Sequence, residues 1–384
     1  MRNMLLSLKA RDAEIVGLSA LNFVHESGTS MFTDLDDKLK GEDTSFNLND
    51  NNINFIYIRT KSRHLGDMTS QEQRNFYAKF CAIIGAFRPD VVMGTGTDML
   101  SMVCFDEAHR RGIPTVYTLL DGTPERFNFP NIDVVVTDST ATANLYSTTR
   151  KINSVVVGSF LPVLAPEANA QKLERKRITM VNPSVDKGVS VFASLAKAQA
   201  ATLSDYKFTV CESYAGQFKE QMALIVDPQT NAPAFSEQDL KAIEVIAPGA
   251  KLSDILLESK VLVVPSLAFE STVSIARDAI AHGTPVLGTN QTGIAESIGD
   301  AGVLVELPTH VIANRTHAVA ESDMANFIKG LEIILNNNFT ERCMNIASRY
   351  DINYSANRLT MCLKPLFDQR AGNNPQLLRN GSLI

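Results

Sequence analysis

The sequence predicts an α/β protein made of two Rossmann-like domains, each built on a doubly wound parallel sheet. Three observations support this prediction. The 384 residues can form two cores of ordinary size. Short apolar runs alternate with amphipathic runs of helical length through both halves, as strands and crossover helices do in parallel sheets. A polar stretch with prolines, residues 162–177, lies between the halves and is typical of a linker.

The composition excludes several classes of protein. The apolar fraction is 45% and the charged fraction 20%, which is ordinary for a globular chain. The net charge of −6 gives no overall basic field, so we expect no nucleic-acid partner. Two local basic clusters, residues 59–63 and 172–177, leave peripheral contact with a membrane open, although most such clusters are solvated surface.

The cysteines and histidines show no spacing typical of a metal site. The five cysteines are far apart and form no C-x-x-C pair, so we expect reduced, mostly buried thiols. The sequence has no signal peptide and no apolar run long enough to cross a membrane. These features predict a cytoplasmic protein that needs no metal or cofactor.

The first half begins with a less regular region. Residues 4–11 have a short helical pattern, and residues 14–20 are predicted to form a strand. The opening strand and glycine loop usual in such domains are not evident. Either the sequence starts after them, or residues 4–8 are themselves that strand. Residues 23–52 are polar and rich in Asp, Asn, Gly and Ser, which predicts a long loop with at most one helical turn.

From residue 54 the alternation is regular. Helices are predicted at residues 70–87, up to residue 112 and from about residue 140, and strands at 55–59, 90–93, 115–120, 133–136 and 154–157. Arg88-Pro89 ends the first of these helices because the residue before a proline disfavours helical geometry. Polar residues follow two of the strands, at Gly94-Thr95-Gly96 and at Asp121. Ligands bind at the carboxyl ends of strands in such sheets.

The second half shows the same alternation. Strands are predicted at residues 178–181, 208–211, 244–246, 261–264, 285–287 and 303–305. Helices are predicted at residues 189–200 and 252–258, from near Ser271, and at about 322–336, 340–350 and 355–370. Two short helical patterns between residues 217 and 241 flank a polar insert. The tail from residue 371 is polar, which predicts a frayed end.

Residues 261–299 are the most informative stretch. An apolar strand ends at Pro265-Ser266, a polar segment carries Glu270, and the following helix carries Asp278 and ends at Gly283. A second strand then leads to a loop at 293–296. If the helix begins near Ser271, Asp278 lies two turns further along, so both acids can border one crevice. The free N–H groups at the start of that helix favour an anionic ligand.

In order and spacing, this stretch resembles the retaining glycosyltransferases of family four. Their P-S-x-x-x-E-x7-E, G-x-P-V and G-x-x-E segments correspond to Pro265-Ser266, Glu270, Asp278, Gly283-Thr284-Pro285-Val286 and Gly293-Ile294-Ala295-Glu296. The resemblance implies the glycosyltransferase-B fold, in which two Rossmann-like domains face each other across a cleft. The chain departs from the family in having Asp278 for a second Glu and Ser271-Thr272-Val273 for a Pro-Phe-Gly turn.

Two further segments resemble the family less completely. Residues 182–188 are similar to its G-R-x-x-x-x-K-G segment, with Lys187 retained and Asn182 in place of the Arg. An amide lacks the charge-assisted, bidentate geometry of a guanidinium. In the first half, Asp121 matches the family's T-x-H-D segment, but Leu120 replaces its His.

The resemblance implies a role for each matching residue. Glu270 and Asp121 would be catalytic, with Glu270 binding the sugar hydroxyls or steadying an oxocarbenium-like centre. Asp278 would accept hydrogen bonds from the ribose hydroxyls. The other implied contacts with the donor are Lys187, Asn182, Ser271, Thr272, Val273, Ala247 and Glu296. The cleft for the sugar and the acceptor would include Gly94, Thr95, Gly96 and His25.

Each of these residues also has an ordinary structural interpretation. Glu270 can be a first-turn acid that complements the helix dipole, and Asp278 a solvent-facing charge beside Arg277. Lys187 can be a surface lysine at a helix start. Asp121 can be a turn-forming residue and His25 part of a solvated loop.

The implied function is transfer of a sugar, with retention, from a UDP- or GDP-linked donor to a carbohydrate, lipid-linked or other hydroxyl acceptor, without a metal. The implied domains are residues 1–165 on the acceptor side, 166–350 for the nucleotide sugar, and 351–384 as a helix crossing back to the first domain. The replacements at Leu120, Asn182 and Asp278 leave a second interpretation open, a non-catalytic subunit that binds nucleotide sugars. A nucleotide-sugar epimerase, which shares the fold, is less well supported.

Overall fold

A computed structural model describes residues 1–22, 40–61, 67–119, 131–164, 174–373 and 382–383. The chain forms two compact units, each made of more than one segment of the sequence. The first unit comprises Met1–Thr137, Tyr146–Phe160 and Ser355–Ile384, and the second comprises Asp138–Leu145 and Leu161–Tyr354.

The first unit contains seven short parallel strands, one antiparallel strand and helices between them, among the residues that the structure describes. In chain order these are α1 (Arg2–Lys9), β1 (Glu14–Ala20), β2 (Ser45–Asp50), β3 (Ile53–Ile58), α2 (Ser70–Phe87), β4 (Val92–Gly94), α3 (Met99–Arg110), β5 (Thr115–Leu119), β6 (Val134–Thr137) and β7 (Val155–Val156). Helix α4 (Thr140–Arg150) begins in the second unit and ends in the first. Helix α14 (Ile352–Asn373) and strand β14 (Ser382–Leu383) complete the set.

The strands of the first unit form two four-stranded sheets, in the orders β14-β1-β3-β2 and β4-β5-β6-β7. Every pairing is parallel except that of β2 with β3. The strand predicted at residues 14–20 is confirmed. Residues 4–8 lie in helix α1 and not in a strand, because their apolar side chains, Met4, Leu5 and Leu8, recur at helical spacing and are all buried.

Strand β2 corrects the prediction of a loop over residues 23–52. Phe46 and Leu48 alternate with polar residues, and both pack with Tyr57 around the buried Leu21. The ring of Phe46 stacks on Tyr57 with a centroid distance of 5.6 Å. The strand lies at the edge of its sheet, where polar residues facing solvent are normal. Its two apolar side chains, and not its composition, therefore determine its structure.

The second unit is a regular alternation of strands and helices. Its first elements are β8 (Arg177–Val181), α5 (Val189–Gln199), β9 (Lys207–Cys211), α6 (Gln217–Met222), α7 (Glu237–Lys241), β10 (Ile243–Ile246), α8 (Leu252–Glu258) and β11 (Ser259–Val264). They are followed by α9 (Ser274–Ala281), β12 (Val286–Thr289), α10 (Thr292–Ile298), β13 (Gly302–Val305), α11 (Thr309–Ala313), α12 (Glu321–Asn336) and α13 (Thr340–Ala347), with a 3₁₀ turn at Ser348–Tyr350.

Six strands are described in the second unit, and they form one parallel sheet in the order β10-β9-β8-β11-β12-β13. From β8 the chain adds β9 and β10 on one side, and then returns to place β11, β12 and β13 on the other. The order of strands therefore reverses between β8 and β11. In open α/β sheets, the crevice at the carboxyl ends of two such strands is the usual site for a ligand.

The core of the second unit is continuous across this sheet. Residues Val189–Ala196 of α5 are all buried, which is typical of a helix covered on every side. Phe192 of α5 meets Phe208 of β9 edge to face with a centroid distance of 6.0 Å. Gly330 of α12 lets that helix approach the sheet, since a Cβ there would lie 2.8 Å from Leu287. The loops at the carboxyl ends of the strands therefore extend from a closely packed sheet and its helices.

Two predicted boundaries in the second unit are wrong. Helix α9 begins at Ser274 and not near Ser271, so Glu270 lies in the loop before the helix and not in its first turn. Residues 293–296, predicted as a loop, lie within α10. The loop was predicted because of Gly293. In the structure this glycine lies in the helix, and the absence of a Cβ allows residues 270–271 to approach it closely.

All five cysteines carry free thiols, and Cys104, Cys211 and Cys343 are buried. Burial raises the pKa of Cys104 to about 12 and that of Cys211 to about 11. Both thiols are therefore protonated and unreactive at neutral pH. Within the described part of the chain, no helix is long and apolar enough to cross a membrane.

Candidate functional site

A cavity of about 300 Å³ opens in the second unit where the strand order reverses. The carboxyl ends of β8 and β11 form its floor, and α9 and the loops before α5 and α9 form its sides. Its polar or charged lining residues are Asn182, Lys187, Glu270, Thr272, Ser274 and Asp278, and its apolar ones include Val181, Leu252, Val264 and Ile275. The cavity thus combines an apolar floor with a few polar groups, which is typical of a ligand site.

Lys187 and Glu270 form an ion pair on the wall of this cavity. Lys187 Nζ donates to Glu270 Oε1 at 2.6 Å, and the hydroxyl of Ser266 donates to the same oxygen at 2.7 Å. The side chain of Glu270 is only 10% exposed, whereas that of Lys187 is 41% exposed. The carboxylate is therefore fixed by two donors, while the side chain of Lys187 remains partly exposed to solvent.

The two loops that carry this pair are locked together by backbone contacts. The carbonyl oxygen of Asp186 accepts from Leu267 N at 2.9 Å and from Ala268 N at 3.2 Å. Gly188 has a φ of +81°, and a Cβ there would lie 2.0 Å from the carbonyl oxygen of Pro265. Only glycine allows this approach, because any side chain would clash with backbone. Gly188 therefore sets the distance between Lys187 and Glu270.

Helix α10 supports Glu270 from the other side. Gly293 N donates to the carbonyl oxygen of Glu270 at 2.9 Å. A Cβ on Gly293 would lie 1.9 Å from the carbonyl oxygen of Ser271. Ser297, one turn further along, accepts from Val273 N at 3.0 Å. The segment from Glu270 to Val273 is thus held against the first two turns of α10.

Asp278 projects from α9 into the cavity and meets the chain that enters the second unit. Leu164 N donates to Asp278 Oδ1 at 2.7 Å. Burial raises the pKa of Asp278 above its usual range, and the hydrogen bond from Leu164 opposes this shift in part. The neighbouring Arg277 is buried, donates to the carbonyl oxygen of Tyr350 at 3.1 Å and lies over its ring. Asp278 is therefore not a solvent-facing charge.

Replacing Asp278 by asparagine is expected to raise the melting temperature at about pH 7 and to leave it unchanged at about pH 3. The folded-state pKa is raised, so the folded protein holds this proton more tightly than the unfolded chain. The resulting stabilisation is present in acid and is lost as the pH rises through the raised pKa. Asn cannot ionise but keeps an oxygen for Leu164 N. Thermal melts across this pH range measure the difference.

The exposed Asp205 provides the matched control, since Asp205→Asn removes a charge at the surface. A pH dependence of the same size in both variants would contradict the assignment of the effect to burial of Asp278.

Asn182 lies on the cavity wall in a conformation that explains its residue type. Its φ is +58°, in the left-handed region that asparagine tolerates better than most residues. Its side-chain oxygen accepts from Gln217, and its backbone N donates to the carbonyl oxygen of Cys211 at 2.9 Å. Asn182 thus fixes the loop after β8, and it adds no positive charge to the cavity.

The remaining predicted contacts of the second unit are divided between the cavity and its surroundings. Thr272 and Val273 line the cavity, and Thr272 Oγ1 donates to Asp138 Oδ2 at 2.9 Å. Ser271 is not among the lining residues, and Ala247 is exposed beyond the end of β10. Glu296 accepts from Thr140 N and Ala141 N at 3.1 and 3.2 Å. Its carboxylate therefore caps the start of α4.

The predicted residues of the first unit are placed only in part. Gly94 is the last residue of β4, Thr95 and Gly96 follow it, and the carbonyl oxygen of Gly94 accepts from Thr118 Oγ1 at 2.9 Å. Gly96 has a φ of +121°, a conformation that other residues rarely adopt, and a Cβ there would lie 2.4 Å from Ser101 Oγ. His25, Leu120 and Asp121 lie outside the described residues. Their predicted roles stay predictions.

Ser266 is a site residue that the sequence reasoning did not assign. Its spacing of four residues from Glu270 was visible in the sequence, but a hydrogen bond across a loop has no periodic signal. Among the described residues, no group of three or more His, Cys, Asp or Glu side chains is arranged to hold a metal ion.

No protein-family model matches the chain, and no curated protein matches its sequence. Solved structures do match. A glycosyltransferase from Rickettsia africae is 12% identical with a TM-score of 0.61, over 92% of this chain and 99% of that one. The α,α-trehalose-6-phosphate synthase of Burkholderia multivorans is 10% identical with a TM-score of 0.59, over 94% and 98%. The pneumococcal O-GlcNAc transferase GtfA is 13% identical with a TM-score of 0.55, over 84% and 69%.

These similarities establish the class of fold. The parallel sheets and their crossover helices are those of the glycosyltransferase-B fold, as the resemblance of residues 261–299 implied. The chain spans about two thirds of GtfA, which is therefore the longer protein. At such low sequence identity, structural similarity shows the fold but does not show the activity, which depends on the residues of the site.

Proposed function

We propose that the protein is a retaining glycosyltransferase that moves a sugar from a nucleotide-diphosphate donor to a hydroxyl acceptor. The observation that carries this proposal is the ion pair of Lys187 and Glu270 on the wall of a cavity at the strand reversal. A fixed carboxylate and a half-exposed cation side by side suit a ligand in which a sugar adjoins a phosphate.

The charge that develops on the leaving diphosphate is the main obstacle to transfer. The ammonium group of Lys187 and the positive N-terminal end of the α5 dipole would offset this charge without a metal. Glu270 would bind the sugar hydroxyls or steady the oxocarbenium-like centre. Asp278, with Oδ1 held by Leu164, would accept from the ribose hydroxyls through its other oxygen.

The donor is best sought first among UDP-linked sugars, because the GtfA structure was solved with UDP and GlcNAc. GDP-linked sugars follow. A panel of these donors is tested by thermal shift and by slow hydrolysis, and then with carbohydrate and lipid-linked acceptors. Binding and turnover would support the proposal. Binding without hydrolysis or transfer would favour the non-catalytic nucleotide-sugar-binding subunit, and no binding by any donor would overturn both interpretations.

Replacing Lys187 by alanine is expected to weaken nucleotide-diphosphate affinity by roughly 10-fold to 100-fold, since a hydrogen bond to a charged group contributes about 1.5–3 kcal/mol. Calorimetric titration with the tightest nucleotide of the panel measures the change. Lys197 lies in α5, the helix that follows Lys187, and pairs with Asp239 at 3.1 Å, so Lys197→Ala serves as the control. Equal affinities in wild type and Lys187→Ala would remove Lys187 from the site.

A further inference from the structure

The cavity carries too little positive charge for the ligand proposed above. Its ionisable lining residues, among those that the structure describes, are Lys187, Glu270 and Asp278. Glu270 already pairs with Lys187, so the formal charge that remains is negative. A diphosphate is an anion with several charges, and like charges repel strongly where water is partly excluded. A second cation close to Lys187 would therefore strengthen the binding of such a ligand.

Arg315 is held next to Lys187 by the structure. Its guanidinium donates to Asp186 Oδ1 at 2.6 Å, and Asp186 directly precedes Lys187 in the chain. The carbonyl oxygen of Arg315 accepts from the hydroxyl of Ser190 at 3.3 Å, in the first turn of α5. Arg315 and Lys187 thus both lie at the N-terminal end of this helix, where the helix dipole also favours an anion.

The ion pair between Arg315 and Asp186 can open at little cost. The side chains are 40% and 65% exposed, and exposed ion pairs contribute little to stability. Asp186 does not need Arg315 to keep its place, because its carbonyl oxygen accepts from Leu267 N and Ala268 N. A guanidinium gains more from a phosphate, which it binds in a charge-assisted, bidentate geometry.

The backbone that follows Arg315 is anchored, so that only the side chain of Arg315 has to move. The carbonyl oxygen of Thr316 accepts from Val226 N at 2.9 Å, and Ala318 N donates to the carbonyl oxygen of Val226 at 2.9 Å. Val319 N donates to Ser194 Oγ, one turn beyond Ser190, at 3.2 Å. The segment therefore runs along α5 and presents Arg315 at its start.

We infer that Arg315 exchanges Asp186 for a phosphate of the bound nucleotide diphosphate and acts with Lys187 as the second cation of the donor site. This inference rests on the proposed function. It assigns a binding role to a residue 128 positions from Lys187, in a part of the chain with no recognisable motif. When no anion is bound, Asp186 forms the ion pair with the guanidinium of Arg315 and keeps it close to the site.

The experiment compares three variants by calorimetric titration with the tightest of UDP, GDP, ADP and dTDP and with its nucleoside. Arg315→Gln is expected to weaken nucleoside-diphosphate binding about 10-fold and to reduce its dependence on salt, with nucleoside binding unchanged. Asp186→Asn, which releases the guanidinium, is expected to strengthen diphosphate binding. Arg342→Gln, at an exposed position of α13, should have no effect on either.

Three outcomes would overturn the inference, and they differ in what they leave standing. Unchanged diphosphate affinity in Arg315→Gln would remove Arg315 from the site and leave the proposed function intact. Equal losses for diphosphate and nucleoside would show that Arg315 only supports the fold. If the wild type binds none of the four nucleotides, the inference and the proposed function fail together.

Discussion

Replacement of Glu270 by glutamine is expected to reduce sugar transfer by about 10³-fold while the protein remains folded. Loss of a single group that stabilises the transition state typically costs 10²-fold to 10³-fold in rate. Glutamine has the same shape as glutamate and keeps an oxygen for the donors Lys187 and Ser266. It lacks the negative charge that would steady an oxocarbenium-like centre. Donor affinity should therefore change much less than turnover.

Steady-state kinetics with the donor found in the panel would measure this effect, with thermal melts to confirm folding. Ser266→Ala gives a graded comparison, because it leaves the carboxylate in place and removes one of its donors. We expect it to cost about 10-fold in turnover. Glu237→Gln, on the exposed surface of α7, is the neutral control. Full activity of Glu270→Gln would exclude Glu270 from catalysis.

Replacement of Gly188 by alanine is expected to destabilise the second unit by about 3 kcal/mol or more. A positive φ alone costs an L-residue about 1–2 kcal/mol. In addition, the new Cβ would lie 2.0 Å from the carbonyl oxygen and 2.8 Å from the carbonyl carbon of Pro265. Because both atoms are backbone, the loops before α5 and α9 must separate. The pairing of Lys187 with Glu270 should be lost as a result.

Gly216 provides a matched control for this substitution. It precedes α6 with the same φ of +81°, but a Cβ there meets nothing within 4 Å. Gly216→Ala should therefore show only the conformational cost, about 1–2 kcal/mol. Chemical denaturation of both variants separates the two contributions. If the variants lose equal stability, the close approach of Gly188 to Pro265 is not what holds the loops together.

The sequence predicted the central elements well because their signals are local. The bounds of α2 match the prediction, since Thr69 and Glu72 form a capping box at its start and Arg88-Pro89 follows its end. The strands of the second unit were found because both faces of a central parallel strand are buried, which produces continuous apolar runs. Strand β11 is an example, with Val261 and Leu262 fully buried.

Elements that depend on distant partners were predicted less well. Strand β2 is polar, and its structure depends on β3 and on Leu21. The start of α9 moved to Ser274 because the preceding residues form hydrogen bonds to α10 and to Asp138 and do not continue the helix. Neither partner is close in the sequence.

In the candidate site too, features with a local sequence signal were predicted, and contacts between distant residues were not. Lys187 and Glu270 were both singled out from their motifs, but their pairing joins residues 83 positions apart. The capping of α4 by Glu296 and the position of Arg315 have no local signal at all. Sequence patterns therefore locate the loops of a site, whereas the charge balance within it has to be read from the structure.

The discontinuity of the first unit has a consequence for the order in which the chain is synthesised. Helix α14 belongs to that unit from Ser355 onward, and it contributes the fully buried side chains of Ala356, Leu359 and Leu363. Ser355 donates to the carbonyl oxygen of Ser159, and Asn357 accepts from Arg11. On the ribosome, the second unit is complete at Tyr354, before these contacts can form. The part of the protein that is made first is thus the part that finishes folding last.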